Sequence, residues 1–379
     1  MRSSDKDLEA LLAKFPELLS GSEYNSLEDL RVHPREKHQT RLTSTLEIEN
    51  LFSPFDRTFD GTAPESILFA HFSPFLDELE GLGLPVFAKN YFGENTTIHF
   101  TYDKTFPSYK FNIGDKKIEP IQNLKDKYDI IIARSGVLLK MMGRPMERDI
   151  INQSLKKINI KTMSLPSNYK YADYYFEEKN MCPMPAPSFS KTVEKWSKSY
   201  SKNKKSILLT GALYHLKNQL SFFKNINPDL LSGYEIIIVG PEKDKQYVDK
   251  IRKTCYNKGI EYFLIGNVRK DLMANFYAFS NIHIIPMDMR VQGSPEGYPR
   301  VLGESIEGRC INLINKPITV PSHMRESCIF YDAFSSSDTN KKMEQILSLP
   351  RESINWTQVN FEDVCEETIL KCVSLWKNK

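Results

Sequence analysis

Residues 294–308 read SPEGYPRVLGESIEG and set two carboxylates, Glu296 and Glu304, with seven residues between them. Gly297 permits a tight turn, and Pro299 suits the first position of a helix. A helix opening there presents unpaired backbone N–H groups and the positive end of its dipole, an anion site suited to a diphosphate. Glu296 falls in the loop just outside that helix, and Glu304 about one and a half turns inside it. Two carboxylates bracketing a phosphate site can accept hydrogen bonds from hydroxyls on either side.

Two further clusters fit the same chemistry. The run GALYHLKNQ follows an apolar segment, so Gly211 turns the chain and Lys217 falls in the next loop or first helical turn. An ammonium there can neutralise charge on a departing nucleoside diphosphate. In FLIGNV, residues 263–268, a strand ends at Gly266, where bare backbone lets Asn267 and Val268 come close to a flat base.

The elements that must position these residues are legible from hydrophobic runs. At 379 residues the chain exceeds the usual size of a single core, so two domains are expected. Strands are predicted at 206–210, 235–239, 262–265, 282–285, 310–314 and 328–331, with helices at 244–258, 271–280 and 300–308. Six strand–helix repeats predict a Rossmann-type domain over 200–355. Upstream, apolar runs at 67–72, 86–88, 98–100, 129–133 and 160–163 read as strands, with a helical pattern over 137–158. They predict a first α/β domain over 66–190. Residues 1–65 read as a helical and irregular extension: Ser4 with Asp7 resembles a capping box, and Leu8, Leu11, Leu12 and Phe15 recur at helical spacing. His33 and His38 read as a solvated loop. The Pro- and Lys-rich stretch 183–205 reads as the connection between domains, and 360–379 as a leftover helix returning to the first domain.

Composition bounds the partners. Hydrophobic residues at 40% and charged residues at 26% fit a globular protein and no disordered or membrane class. A net charge of +3 is too small to argue for nucleic acid, but leaves room for local basic patches. No run approaches the ~18 apolar residues of a membrane span. The N-terminus lacks a signal-peptide core. Six scattered cysteines without a C-x-x-C pair suit reduced, buried thiols and a cytoplasmic location. The helical pattern 137–158 carries basic residues on one side, which fits a helix covering its own sheet and also allows peripheral membrane contact.

Taken together, Gly211 with Lys217, the run Ile265-Gly266-Asn267-Val268, and Glu296-Gly297-Tyr298-Pro299 through Glu304 resemble the family-4 retaining glycosyltransferases of the GT-B fold. The likeness covers about residues 200–335, with the three pieces in the family's order and spacing. It implies two Rossmann-like domains facing each other across a cleft, with a nucleotide-sugar donor in the C-terminal one and a glycan or glycoconjugate acceptor on the other. By this likeness Glu296 contacts the donor sugar, Glu304 the ribose and Lys217 the diphosphate, with retention of anomeric configuration and no metal or cofactor. Two positions depart from the family pattern. Ala212 stands where the family has an arginine, and Arg300, at the helix start, is the expected substitute ahead of His215. Arg134 falls near the place of a family histidine, either as a cleft residue with a part in catalysis or as an ion-pair partner. His71 reads as a packed histidine or a border of the acceptor site. A catalytically degenerate nucleotide-sugar-binding protein and a transferase that modifies DNA are the alternative readings.

Overall fold

The computed structural model describes residues 3–19, 30, 57–72, 83–102, 108–112, 117–121, 123–133, 141–142, 144–159, 173–175, 205–268, 270–288, 300–316, 318, 320, 322–349, 354 and 361–378. Its contacts divide the chain into two compact units. Residues 1–33, which carry helix α1 (Ser3–Lys14), join residues 188–358; residues 34–187 join residues 359–379.

The unit of residues 34–187 is built on a seven-stranded sheet ordered β4-β3-β2-β1-β5-β6-β7. Its strands are β1 (Ser66–Phe72), β2 (Thr97–Tyr102), β3 (Ser108–Asn112), β4 (Lys117–Ile121), β5 (Ile130–Ala133), β6 (Lys156–Asn159) and β7 (Tyr174–Tyr175). Strands β2, β1, β5, β6 and β7 run parallel, while β3 and β4 add an antiparallel edge. Helix α2 (Gly83–Phe92) takes in residues 86–88, read from sequence as a strand. Those three residues are fully buried, and a short apolar run has no period that separates a buried strand from a buried helix turn. Pro85 within the first turn of α2 is the signal that favours the helix. The helix expected over 137–158 is α3 (Pro145–Gln153), and residues 156–159 instead form β6 beside β5. Ser154 ends α3, its hydroxyl donating to the Ile150 carbonyl. Met141 and Ile151 bury against Leu68, Ala70 and Ile131 of β1 and β5, so this segment covers its own sheet. The final helix, α9 (Phe361–Lys377), packs on α2 and β6. Arg57 pairs with Asp363 and Glu366 at 2.5 Å each, and the Tyr91 hydroxyl donates to Glu366 at 2.9 Å. The expected strand at 160–163 lies outside the described residues, as do His33, His38, Arg134 and Cys182; Arg134 follows β5 directly.

The second unit carries a parallel sheet ordered β10-β9-β8-β11-β12-β13. Its strands are β8 (Ser206–Thr210), β9 (Glu235–Val239), β10 (Phe263–Gly266), β11 (Ile282–Ile285), β12 (Ile311–Asn315) and β13 (Cys328–Tyr331). Between them run α4 (Gln219–Asn225), α5 (Lys245–Lys258), α6 (Lys270–Phe279), α7 (Arg300–Glu307) and α8 (Ser336–Leu347). Both faces of the sheet are covered, which is why its strands read as continuous apolar runs. Ile207, Leu209, Ile236 and Ile238 point into one core with Phe222, Phe223 and Ile251. Leu208, Ile237, Val239 and Ile265 point into the other with Phe276, Tyr277 and Phe279. Helix α1 belongs to this second core through Leu8 and Leu11. It begins at Ser3, and its Asp7 carboxylate accepts from the Leu264 N–H of edge strand β10 at 3.0 Å. The five described cysteines are free and buried.

Candidate functional site

In an open parallel sheet, ligands bind beyond the carboxyl ends of the strands where the winding reverses. Here the chain winds β8, β9, β10 to one side and then returns to place β11 on the other side of β8. The reversal lies between β8 and β11, and Gly211 is the first residue beyond β8.

Three successive βα turns meet there through their glycines. Gly211 has φ +110°, a region closed to most side chains, and its N–H donates to the Val239 carbonyl at 3.0 Å. A Cβ on Gly240 would lie 1.9 Å from the Gly211 carbonyl oxygen, so no larger residue fits at 240. The Gly240 N–H in turn donates to the Gly266 carbonyl at 2.8 Å. Asn267 follows partly exposed, whereas Val268 is buried in the core.

Lys217 is brought to the same point. It lies in a short 3-10 turn, His215–Lys217, that ends at Asn218 in the left-handed region with φ 57°. The buried Asn218 amide donates to the Pro286 carbonyl at 2.9 Å, and the Asp288 N–H donates to the Leu216 carbonyl at 3.1 Å. These two bonds tie the loop after β8 to the loop after β11. The Lys217 methylenes lie over Gly211, 3.8 Å from where a Cβ would stand, and Nζ is 3.7 Å from the Met287 sulfur. His215 is exposed at the outer side of this turn. Ala212 offers its carbonyl to the Gln219 amide at 3.2 Å.

Helix α7 starts at Arg300 and packs on β12 and α6. Its Glu304 is half buried and shares a hydrogen bond with the Tyr277 hydroxyl. Tyr277 also donates to Thr210 Oγ1 at 3.2 Å, and Thr210 is the residue before Gly211. The Tyr277 hydroxyl therefore lies between Glu304 and the residue that precedes the turn at Gly211. Burial, then the charge of Glu304, raises the Tyr277 phenol well above its ordinary range, so it remains a donor. Glu296, Gly297, Tyr298 and Pro299 lie outside the described residues.

Behind Thr210 the polar groups continue. Thr210 Oγ1 is 2.9 Å from His283 Nε2, and His283 Nδ1 is 3.2 Å from Asn312 Oδ1. Burial lowers the His283 pKa to about 3, so the ring is neutral. Asn312 commits its amide N–H to the Cys310 carbonyl at 2.9 Å, and its oxygen also accepts from Ser305 at 2.6 Å. Sequence reasoning passed over Thr210, Tyr277, His283 and Asn312. The signal was available: His283 and Asn312 stand as register partners inside IHII and INLIN, where a polar residue in an otherwise apolar buried strand requires a partner.

No family model and no curated protein matches the chain in sequence. Among solved structures, a glycosyltransferase from Rickettsia africae ESF-5 is similar at TM-score 0.51 and 12% identity, over 86% of this chain and 99% of that one. The fold is GT-B. The S. aureus MnaA–UDP co-structure matches at TM-score 0.49 and 10% identity, over 83% of this chain and 97% of that one. The catalytic domain of Starch Synthase IV from Arabidopsis thaliana bound to ADP and acarbose matches at 0.48 and 10%, over 83% and 100%. In GT-B terms, residues 188–358 form the C-terminal Rossmann-like unit, and the cluster of Gly211, Lys217 and Glu304 lies within it.

Proposed function

We propose that the protein is a glycosyltransferase that moves a sugar from a nucleoside diphosphate to an acceptor hydroxyl on a glycan or glycoconjugate, with retention and without a metal. The observation that carries this reading is the meeting of Gly211, Lys217 and the Thr210–Tyr277–Glu304 connection at the reversal point of the second sheet. In this reading Lys217, packed on Gly211, is the cation for phosphate, and Glu304, linked through Tyr277 to Thr210, is the carboxylate for hydroxyls. The GT-B fold, shared with a protein described as a glycosyltransferase, supports it.

In this reading Lys217 faces the diphosphate, Glu304 takes the ribose hydroxyls, and Glu296 takes hydroxyls of the donor sugar. Arg300, at the start of α7, substitutes for the cation missing at Ala212. Breaking the C1–phosphate bond leaves positive charge on the sugar and negative charge on phosphate, so the work of the site is electrostatic. The acceptor oxygen bonds to C1 on the face the phosphate leaves, and the acceptor proton passes to the departing phosphate oxygen. No carboxylate nucleophile is required.

The test is a melting-temperature screen against UDP, GDP and ADP and their sugars, followed by transfer or hydrolysis of the stabilising donor with the anomer read by NMR. A ligand at 100 times its Kd stabilises the native state by about 2.7 kcal/mol, which is readily seen. Stabilisation with turnover and an unchanged anomeric configuration is expected. Stabilisation without turnover would favour a nucleotide-sugar-binding protein, the reading that Ala212 supports. Absence of both would overturn the proposal.

A further inference from the structure

The arrangement around Tyr277 goes beyond what side chains in direct reach of a nucleotide require. Its ring is fully buried and stands perpendicular to the His283 ring at a centroid distance of 5.3 Å. Gly308 lets α7 approach the backbone of Tyr277, where a Cβ would come within 2.6 Å of the Tyr277 Cβ. Its hydroxyl is shared between Thr210 Oγ1 and the Glu304 carboxylate.

The hydrogens of this chain follow from its far end. The Asn312 amide donates to the Cys310 carbonyl, so its oxygen is the acceptor that faces His283. A neutral His283 then carries its proton on Nδ1 and leaves Nε2 bare. The Thr210 hydroxyl donates to that nitrogen, which leaves only lone pairs of Thr210 toward Tyr277. The Tyr277 hydroxyl thus offers one hydrogen to these two acceptors, and the charged carboxylate is the stronger one.

We propose that Tyr277 is a positioning residue, whose buried hydroxyl turns its one hydrogen to the Glu304 carboxylate and holds it in the orientation that receives the ribose hydroxyls. The proposal rests on the reading of Glu304 as the ribose ligand. A rigid donor behind the carboxylate removes the rotamer freedom that a half-buried glutamate otherwise loses on binding. It also sets which of the carboxylate lone pairs remain for the ligand.

The experiment is calorimetric titration of the wild type, Tyr277→Phe and Glu304→Ala with UDP, GDP and ADP and their 2′-deoxy counterparts. Tyr277→Phe deletes one atom and leaves no donor unpaired, so a folded protein is expected, confirmed by its melting curve. The wild type should prefer the ribose form, and Glu304→Ala should abolish that preference. Tyr277→Phe should narrow it by about 3- to 10-fold, the effect of one modest hydrogen bond, with binding of the deoxy form unchanged. An equal loss for both forms, or an undiminished preference, would overturn the positioning role while leaving Glu304 in place. A wild type that does not distinguish the two sugars, or binds none of the six nucleotides, would instead overturn the reading of Glu304 and the proposal with it.

Discussion

Asn312 fixes hydrogens well beyond its own contacts, because one committed amide determines the tautomer of His283 and hence the donor direction of Thr210. The same burial gives the residues around the site a pH signature. His283 has an ordinary pKa of 6.5 and a folded value of about 3, lowered by burial, and it faces only Tyr277, Thr210 and Asn312 among the bonds and ring contacts described. A histidine depressed in the folded state contributes its stability in full above pH 6.5. That contribution is lost as the pH falls from 6.5 toward 3, because the unfolded chain binds the proton first. Melting curves of the wild type should therefore fall more steeply between pH 6.5 and 4 than those of His283→Gln. The difference amounts to about 1.4 kcal/mol per pH unit at most. Parallel curves would mean that His283 is not held neutral. The candidate residues Gly211, Lys217 and Glu304 stand out in the sequence by their spacing. The buried polar groups beside them do not, because that chain is assembled from four separate elements and leaves no local period.

At the scale of elements, the second sheet was read almost strand for strand. Strands buried on both faces, such as Glu235–Val239, appear as unbroken apolar runs bounded by turns. The first sheet was read less well for the same physical reason in reverse. The run at 86–88 is apolar because α2 is buried all round, and β6 was absorbed into a helix because its LysLysIleAsn sequence has no strand alternation. Helix α1 was expected from its leucines, but nothing in its sequence assigns it to the second sheet, where Leu264 of edge strand β10 lies 257 residues beyond Asp7. Its Leu11 is fully buried between α1 and the core of that sheet. Leu11→Ala should lower the stability of the unit containing residues 188–358 by roughly 2–5 kcal/mol, the usual effect of a buried leucine truncation. Chemical denaturation followed by hydrogen exchange of β8 to β13 would show it. A loss below about 0.5 kcal/mol would mean that α1 is a peripheral strap.

At the scale of the whole molecule, the chain leaves residues 1–33 in one unit, builds the other from 34–187, returns for 188–358, and closes with α9 back on the unit of residues 34–187. Both units are α/β sheets, yet the readable chemistry is concentrated in one of them, around the point where its winding reverses. The paired glutamates test this most directly, because one chemical change at each should give opposite results. Calorimetry with the stabilising nucleoside diphosphate, beside a turnover assay, is the deciding measurement. Glu304→Gln should weaken diphosphate binding by roughly tenfold to a hundredfold, the loss of a charge-assisted hydrogen bond of ~1.5–3 kcal/mol. Glu296→Gln should leave that affinity nearly intact and lower the rate of sugar transfer, because its bond is to the sugar as charge develops. If both variants bind and react as the wild type does, the seven-residue spacing carries no function and the glycosyltransferase reading fails.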